Sequence, residues 1–226
     1  KSADIAIIPH MYGIPIEIKS NNYLVIEDCC QSLGAKINNK MVGLQGDIGI
    51  FSFYATKLIT SGGEGGMLIS KNQEYVNAAR DYREFDYRKD SNNRFNFKMT
   101  DLQAAIGRVQ LKKLPWFLKR REEIFKKYIN SCNYEFLDID SHHQKNIHPV
   151  RYRAIIKTKN PKKIIDLLNS KGIKAIIPTE DWELLGNPNS LPNSLKLSRE
   201  TISIPLYPSL TDNDVEKIIL ALNSCV

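Results

Sequence analysis

The chain has 226 residues, 42% hydrophobic and 25% charged, with four cysteines and a formal net charge of +7. That length holds a sizeable core and suits one globular domain, or one large and one small. No apolar run is long enough to cross a bilayer, and the opening residues carry no secretory h-region.

The basic balance permits nucleic acid or small anions as partners. Its densest stretch, Lys112, Lys113, Lys119, Arg120, Arg121, Lys126 and Lys127, reads as the solvated face of a long helix. Few aromatics interleave with these charges, so a stacking platform for single strands is not indicated, and nucleic acid is disfavoured. Cys29, Cys30, Cys132 and Cys225 match no zinc spacing. They read as reduced thiols, which suits a cytoplasmic protein.

In chain order, Ile5–Ile8 reads as a buried strand stopped by Pro9, and Tyr23–Glu27 as a second strand ending at Asp28. A short helix is expected between them, in Ile14–Asn22. Ile48–Phe53 and Met67–Ser70 are further strands, and Gln73–Tyr82 an outer helix. Arg83–Asn96 is polar and reads as a mobile loop. Thr100 and Gln103 form a capping box. Leu102, Ala105, Ile106 and Val109 then share one helical face. Pro115 is expected to break or kink that helix, with a second helix from Phe117 to Tyr128 leading out of the first domain.

The last third reads as a small α+β unit. Arg151–Thr158 is a strand, and Pro161–Lys171 a helix closed by Gly172. Ile173–Ile177 and Thr201–Ile204 are strands. Asp214–Leu222 is a final helix capped by Thr211 or Asp212. The expected division is 1–116 and 117–226.

Strands alternating with helical or turn segments indicate an α/β sheet, whose ligands sit beyond the carboxyl ends of the strands. Asp28 and Lys57 lie at or just past such ends. A glycine cluster, Gly62, Gly63, Gly65 and Gly66, follows Lys57 and lets the backbone approach a ligand. Glu27 and Asp28 need a cation or donors to be buried. A pyridoxal phosphate cofactor needs an amine, a carboxylate for its ring nitrogen and donors for its phosphate. Lys57, Asp28 and Ser52 can supply these, and Gln31 can reach the ring hydroxyl. Taken alone, Asp28 is equally a cap or a metal ligand, and Lys57 a surface lysine; only their order and spacing carry weight.

That order resembles the DegT/DnrJ/StrS family of sugar aminotransferases. Their E-D-x-A-Q-x-x-G-A, G-D-x-x-x-F-S-F-x-x-x-K and G-E-G-G segments match Glu27–Ala35, Gly46–Lys57 and Gly63–Gly66. A later family segment matches Phe95–Ala105, and Ile204–Pro208 matches a closing L-P-L-Y-P. The resemblance implies the fold type I architecture of pyridoxal-phosphate-dependent transferases, with an incomplete large domain and a small α+β C-terminal domain. It implies Lys57 as the Schiff-base lysine and proton carrier, Asp28 at the pyridinium nitrogen, Gln31 near the ring hydroxyl and Ser52 at the phosphate. Asn96 would reach the phosphate of the partner subunit in a homodimer. His10 matches a family position under the site and reads as structural. Lysine at 57, where related dehydratases carry histidine, favours transamination.

The implied substrates are a nucleotide-linked keto-sugar and L-glutamate, serving polysaccharide or antibiotic sugars. Cys30 stands for the usual alanine, and Lys98 for a frequent arginine. Ile177–Trp182 lacks the histidine–tyrosine pattern of many members. The family's leading segment, with its phosphate cradle and ring-stacking aromatic, is not in this sequence. The chain therefore reads as a fragment or split half that needs a complementing N-terminal chain. The alternative is a catalytically inactive regulatory or interaction protein derived from the family.

Overall fold

The computed structural model describes residues 3–19, 22–138 and 146–225. The chain divides into two compact units, Lys1–Trp116 with Ser141–Tyr152, and Phe117–Asp140 with Arg153–Val226.

The first unit is built on a four-stranded sheet. Its strands are β1 (Ile5–Pro9), β2 (Leu24–Asp28), β5 (Ile48–Ser52) and β6 (Gly66–Ile69), in the order β1-β2-β5-β6. β1, β2 and β5 run parallel, and β6 returns antiparallel to β5. β1 lies at the sheet edge with Ile5 and Ile7 exposed. Between β2 and β5 the chain makes β3 (Lys36–Ile37) and β4 (Lys40–Met41), and β3 also pairs with β7 (Ile147–His148). These two-residue strands carry no periodic signal, and the sequence did not announce them. After β6 comes α1 (Gln73–Arg83), whose N-cap Asn72 accepts a bond from the Glu74 amide.

Three expectations are corrected here. No helix occupies 14–22 among the described residues; residues 20 and 21 lie outside them. The backbone there is held by side chains instead: the Ile16 amide donates to His10 Nδ1 and the Ile18 amide to Gln45 Oε1. Pro115 does not break its helix. α2 runs unbroken from Asp101 to Ser131, because a proline deletes only one ladder bond while its neighbours keep theirs. The Thr100–Gln103 box caps its start, with the Gln103 amide donating to Thr100 Oγ1 at 3.3 Å and the Thr100 amide to Gln103 Oε1 at 3.0 Å. The basic run on this helix is not wholly solvated either. Arg121 is 6% exposed and donates to the Leu206 carbonyl, and Arg120 donates to the Leu210 carbonyl and Asp212.

The second unit packs the end of α2 against β8 (Ala154–Lys157), α3 (Pro161–Ser170), α4 (Pro192–Glu200), β9 (Thr201–Ile204) and α5 (Asp212–Asn223). Its core joins Ile124, Phe125 and Tyr128 to Ile156, Leu168, Ile202, Val215, Ile218 and Leu222. β8 and β9 pair antiparallel, Ala154 with Ile204 and Lys157 with Thr201. Gly172 takes φ +73° beyond α3, the left-handed stop its position required. The strand expected over Ile173–Ile177 reduces to one bridge, Ile176 with Ser203. α4 was not foreseen, since its stretch is mostly polar. Thr211 caps α5 through the Asp214 amide.

Candidate active site

The parallel register of the first sheet decides which side chains can meet. Asp28 pairs with Ile50, and alternate residues of a strand point to one face, so Asp28, Ile50 and Ser52 share a face while Glu27 points to the other. With strands ~4.8 Å apart and ~3.3 Å per residue, the Asp28 and Ser52 backbones lie roughly 8 Å apart. Both sit at the carboxyl ends of their strands.

The hairpin between β5 and β6 brings Lys57 back to that end. The Phe53 amide donates to the Gly65 carbonyl at 2.7 Å, Ala55 to Gly63 at 2.9 Å, and Ser61 to Phe53 at 3.0 Å; Lys57 itself closes on Tyr54 at 3.0 Å. Gly63 has φ +137°, a conformation side chains resist. Lys57 is half-buried, and its Nζ lies 5.6 Å from the centre of the Tyr152 ring.

Cys30 follows Asp28 by two residues. Burial pushes its thiol up to about 12, the Asp28 hydrogen bond and charge add to that, and the Lys57 charge opposes it. The thiol therefore stands within the field of both groups. Asp28 is further fixed by the Cys30 amide, 3.0 Å from Oδ1, and its carbonyl accepts the His10 amide at 3.0 Å. Gln31 Oε1 accepts the Tyr12 amide at 2.7 Å, which holds the side chain and leaves its NH2 group as the donor. Asn96 is exposed, in the irregular segment that leads into α2. Its neighbours Phe95 and Phe97 stack with ring centres 5.0 Å apart. The loop before it is tied down: Arg94 pairs with Asp81 and Asp90, and Lys98 bonds Glu84 and Asp86.

Behind Asp28 lies a polar knot that sequence reasoning touched only in part. Glu27 is fully buried and accepts from His10 Nε2 (3.1 Å), the amides of Gly43 (2.9 Å), Gln45 (2.5 Å) and Gly46 (2.9 Å), and Gln45 Nε2 (3.2 Å). Burial alone would raise its pKa, but these donors outweigh it and hold the carboxyl down to about 2. Since His10 Nδ1 accepts the Ile16 amide, the ring is the Nε2–H tautomer, neutral and donating to Glu27. Cys29 lies close to both. Burial and the Glu27 charge push its thiol up to about 12, while His10 Nε2 and Glu27 Oε2 are bonded to each other, so the trio reads as a structural knot. His10 thus serves as the packed histidine its flanking proline and apolar strand suggested. Tyr152 and the backbone donors of 43–46 gave no signal in the sequence.

A mostly parallel sheet joined in sequence to a small α+β unit is the fold of the type I transferases. The chain belongs to the DegT/DnrJ/EryC1/StrS aminotransferase family, which it matches over residues 6–223. Members of that family use pyridoxal phosphate.

Among its relatives is the uncharacterized protein MJ1066 of Methanocaldococcus jannaschii, 31% identical, with 98% of this chain aligned to 67% of that protein. The GDP-perosamine synthase of Escherichia coli O157:H7 is 29% identical, over 95% of this chain and 63% of the enzyme. The crystal structure of the aminotransferase TlmJ from Streptoalloteichus hindustanus superimposes with a TM-score of 0.86 at 22% identity, covering 97% of this chain and 65% of that one. The chain thus spans about two thirds of the length of the proteins it matches.

Proposed function

We propose that this chain carries the lysine half of the active site of a nucleotide-sugar aminotransferase. The observation that carries the reading is the placement of Asp28 and Ser52 at the carboxyl ends of the adjacent parallel strands β2 and β5, with the laced hairpin that follows Ser52 carrying Lys57. These residues fit pyridoxal phosphate: one amine, one carboxylate on the adjacent strand, one hydroxyl at the strand end and a flat aromatic, Tyr152, beside the amine. Bound there, the cofactor supplies a carbonyl for the amine and an electron sink for the carbanion formed at the amino-bearing carbon.

In this reading Lys57 holds the cofactor through Nζ and later moves the proton between substrate and cofactor carbons. Asp28 keeps the ring nitrogen protonated. Its own position is set from both sides, by the Cys30 amide and by the His10 amide on its carbonyl. The Gln31 NH2 donates to the ring hydroxyl, and Ser52 Oγ to the phosphate. Asn96, exposed beside the stacked Phe95 and Phe97, serves the phosphate of a second copy in a homodimer. The substrate is a nucleotide-linked keto-sugar and the amino donor L-glutamate. The relatives' names support the first, and the net charge of +7 suits a diphosphate-bearing ligand. The part this chain matches is about two thirds of its relatives' length, and residues equivalent to the remaining third, in the same polypeptide or another, complete the pocket. The free thiols suit a cytoplasmic protein, and no described helix is long and apolar enough to cross a membrane.

The regulatory alternative rests on the basic run of α2, of which Arg120 and Arg121 are spent on internal carbonyls and Asp212. The test is reduction with borohydride in the presence of pyridoxal phosphate, then digestion and mass spectrometry. A pyridoxyl adduct confined to Lys57 and abolished by Lys57→Ala is expected. Labelling spread over surface lysines, unchanged in that variant, refutes the reading.

A further inference from the structure

One turn ties three parts of the first unit together. It follows β1 and runs from His10 to Gly13. The His10 amide donates to the Asp28 carbonyl at 3.0 Å, and the Tyr12 amide to Gln31 Oε1 at 2.7 Å. The Gly13 carbonyl accepts the Val150 amide at 2.9 Å, and the Tyr152 amide closes back on the Val150 carbonyl at 3.0 Å. Tyr152 is the last residue of the first unit, so the turn, Lys57 and Tyr152 all belong to one compact body.

The turn is strained where it meets Val150. Tyr12 has φ +57° and Gly13 φ +87°, two successive residues in the left-handed region. A Cβ on Gly13 would lie 2.1 Å from the Val150 carbonyl oxygen and 2.9 Å from its Cγ2. Only glycine lets the two segments come this close. Strain of this kind persists where surrounding contacts over-determine the backbone, and it gathers at ligand sites. The approach decides the place of one ring. Tyr152 is 7% exposed, and its ring centre lies 5.6 Å from Lys57 Nζ. That is within the range at which a ring face attracts an ammonium. A ring buried for packing alone is covered by apolar atoms; this one has a charged amine over it.

We propose that Tyr152 is a positioning residue for Lys57: its ring face holds the free ammonium at the strand end, and the Gly13–Val150 clasp holds the ring. This rests on Lys57 being the reactive amine. A lysine stem free in water samples many rotamers. Held against the ring, the amine meets an incoming carbonyl already placed. The same turn fixes the Asp28 carbonyl and the Gln31 side chain, so one piece of backbone sets the neighbours of the cofactor from both sides.

The test is trace acetylation of the 226-residue chain by acetic anhydride without pyridoxal phosphate. Mass spectrometry reads the Lys57 rate against that of exposed Lys163. Position 152 carries tyrosine, phenylalanine, a trifluorinated phenylalanine and pentafluorophenylalanine in turn. Fluorine strips negative charge from the ring face and changes its shape little. Tyr152→Phe should leave the Lys57 rate within about twofold, and the fluorinated rings should raise it stepwise, to about threefold or more. Gly13→Ala displaces Val150 and should raise it similarly; should that variant lose its circular dichroism, the fluorinated series decides alone. A Lys57 rate that is flat across the series overturns the proposal and leaves Tyr152 a packing residue, as does a full rise on Tyr152→Phe. A flat series beside a pyridoxyl adduct on Lys57 leaves the aminotransferase reading standing. A stepwise rise with no adduct sinks that reading and keeps the contact.

Discussion

Replacing Glu27 by glutamine probes how the site is supported. The carboxylate takes five donors, three on Oε2 and two on Oε1, with no exposed surface. An amide of the same shape must turn an NH2 group toward one set. At the Oε1 side it faces the backbone donors of Gln45 and Gly46, each left unpaired at a cost of about 1–3 kcal/mol. The expected loss is therefore about 4 kcal/mol. Proton linkage gives a similar figure. The folded pKa of about 2 lies below the reference of 4.5, so this carboxylate contributes about 3 kcal/mol that is complete above pH 4.5 and is lost as pH falls toward 2. Urea unfolding followed by circular dichroism at pH 7 and at pH 3 checks both numbers. The parent should lose stability between these values, and Glu27→Gln should start about 4 kcal/mol lower and show a shallower acid slope. A variant within 1 kcal/mol of the parent at pH 7, or with the parent's full acid slope, refutes the reasoning.

Two further outcomes follow from single positions. Pro115→Ala restores a missing ladder donor at an exposed site inside α2 and should stabilise the chain by about 1–3 kcal/mol; a lowered urea midpoint would contradict this. Cys29 and Cys30, with thiols pushed up to about 12, should resist iodoacetamide at pH 8 in the folded chain and react within minutes once unfolded. Rapid native labelling at either position, read by mass spectrometry, would show that the buried field around Asp28 is wrong.

The cluster around Lys57 was legible because its parts are local. An apolar run ends, a carboxylate or amine follows, and glycines permit the return. Asp28, Ser52 and Lys57 were singled out by that logic, and the structure bears out the capping boxes at Thr100 and Thr211, read by a similar one. What the sequence hid was non-local or too short to have a period. Tyr152 reaches Lys57 from far along the chain, and β3, β4 and β7 have two residues each. The donors to Glu27 are mostly backbone amides, which every residue possesses. The segment 14–19 misled because its bonds go to His10 and Gln45 side chains instead of to a helical ladder. α2 misled in the opposite sense: Pro115 reads as a stop, yet one missing bond is small beside the ladder of a helix running from Asp101 to Ser131.

The laced hairpin that carries Lys57 also has a kinetic meaning. Its rungs, Phe53 to Gly65 and Ala55 to Gly63, join residues close in sequence, so the entropy of closing them is small. Asp28 meets the same strand only through the parallel pairing of β2 with β5, a longer closure that forms more slowly. During folding the amine is therefore set on its turn before the carboxylate arrives opposite it, and the order of assembly runs from the reactive group outward.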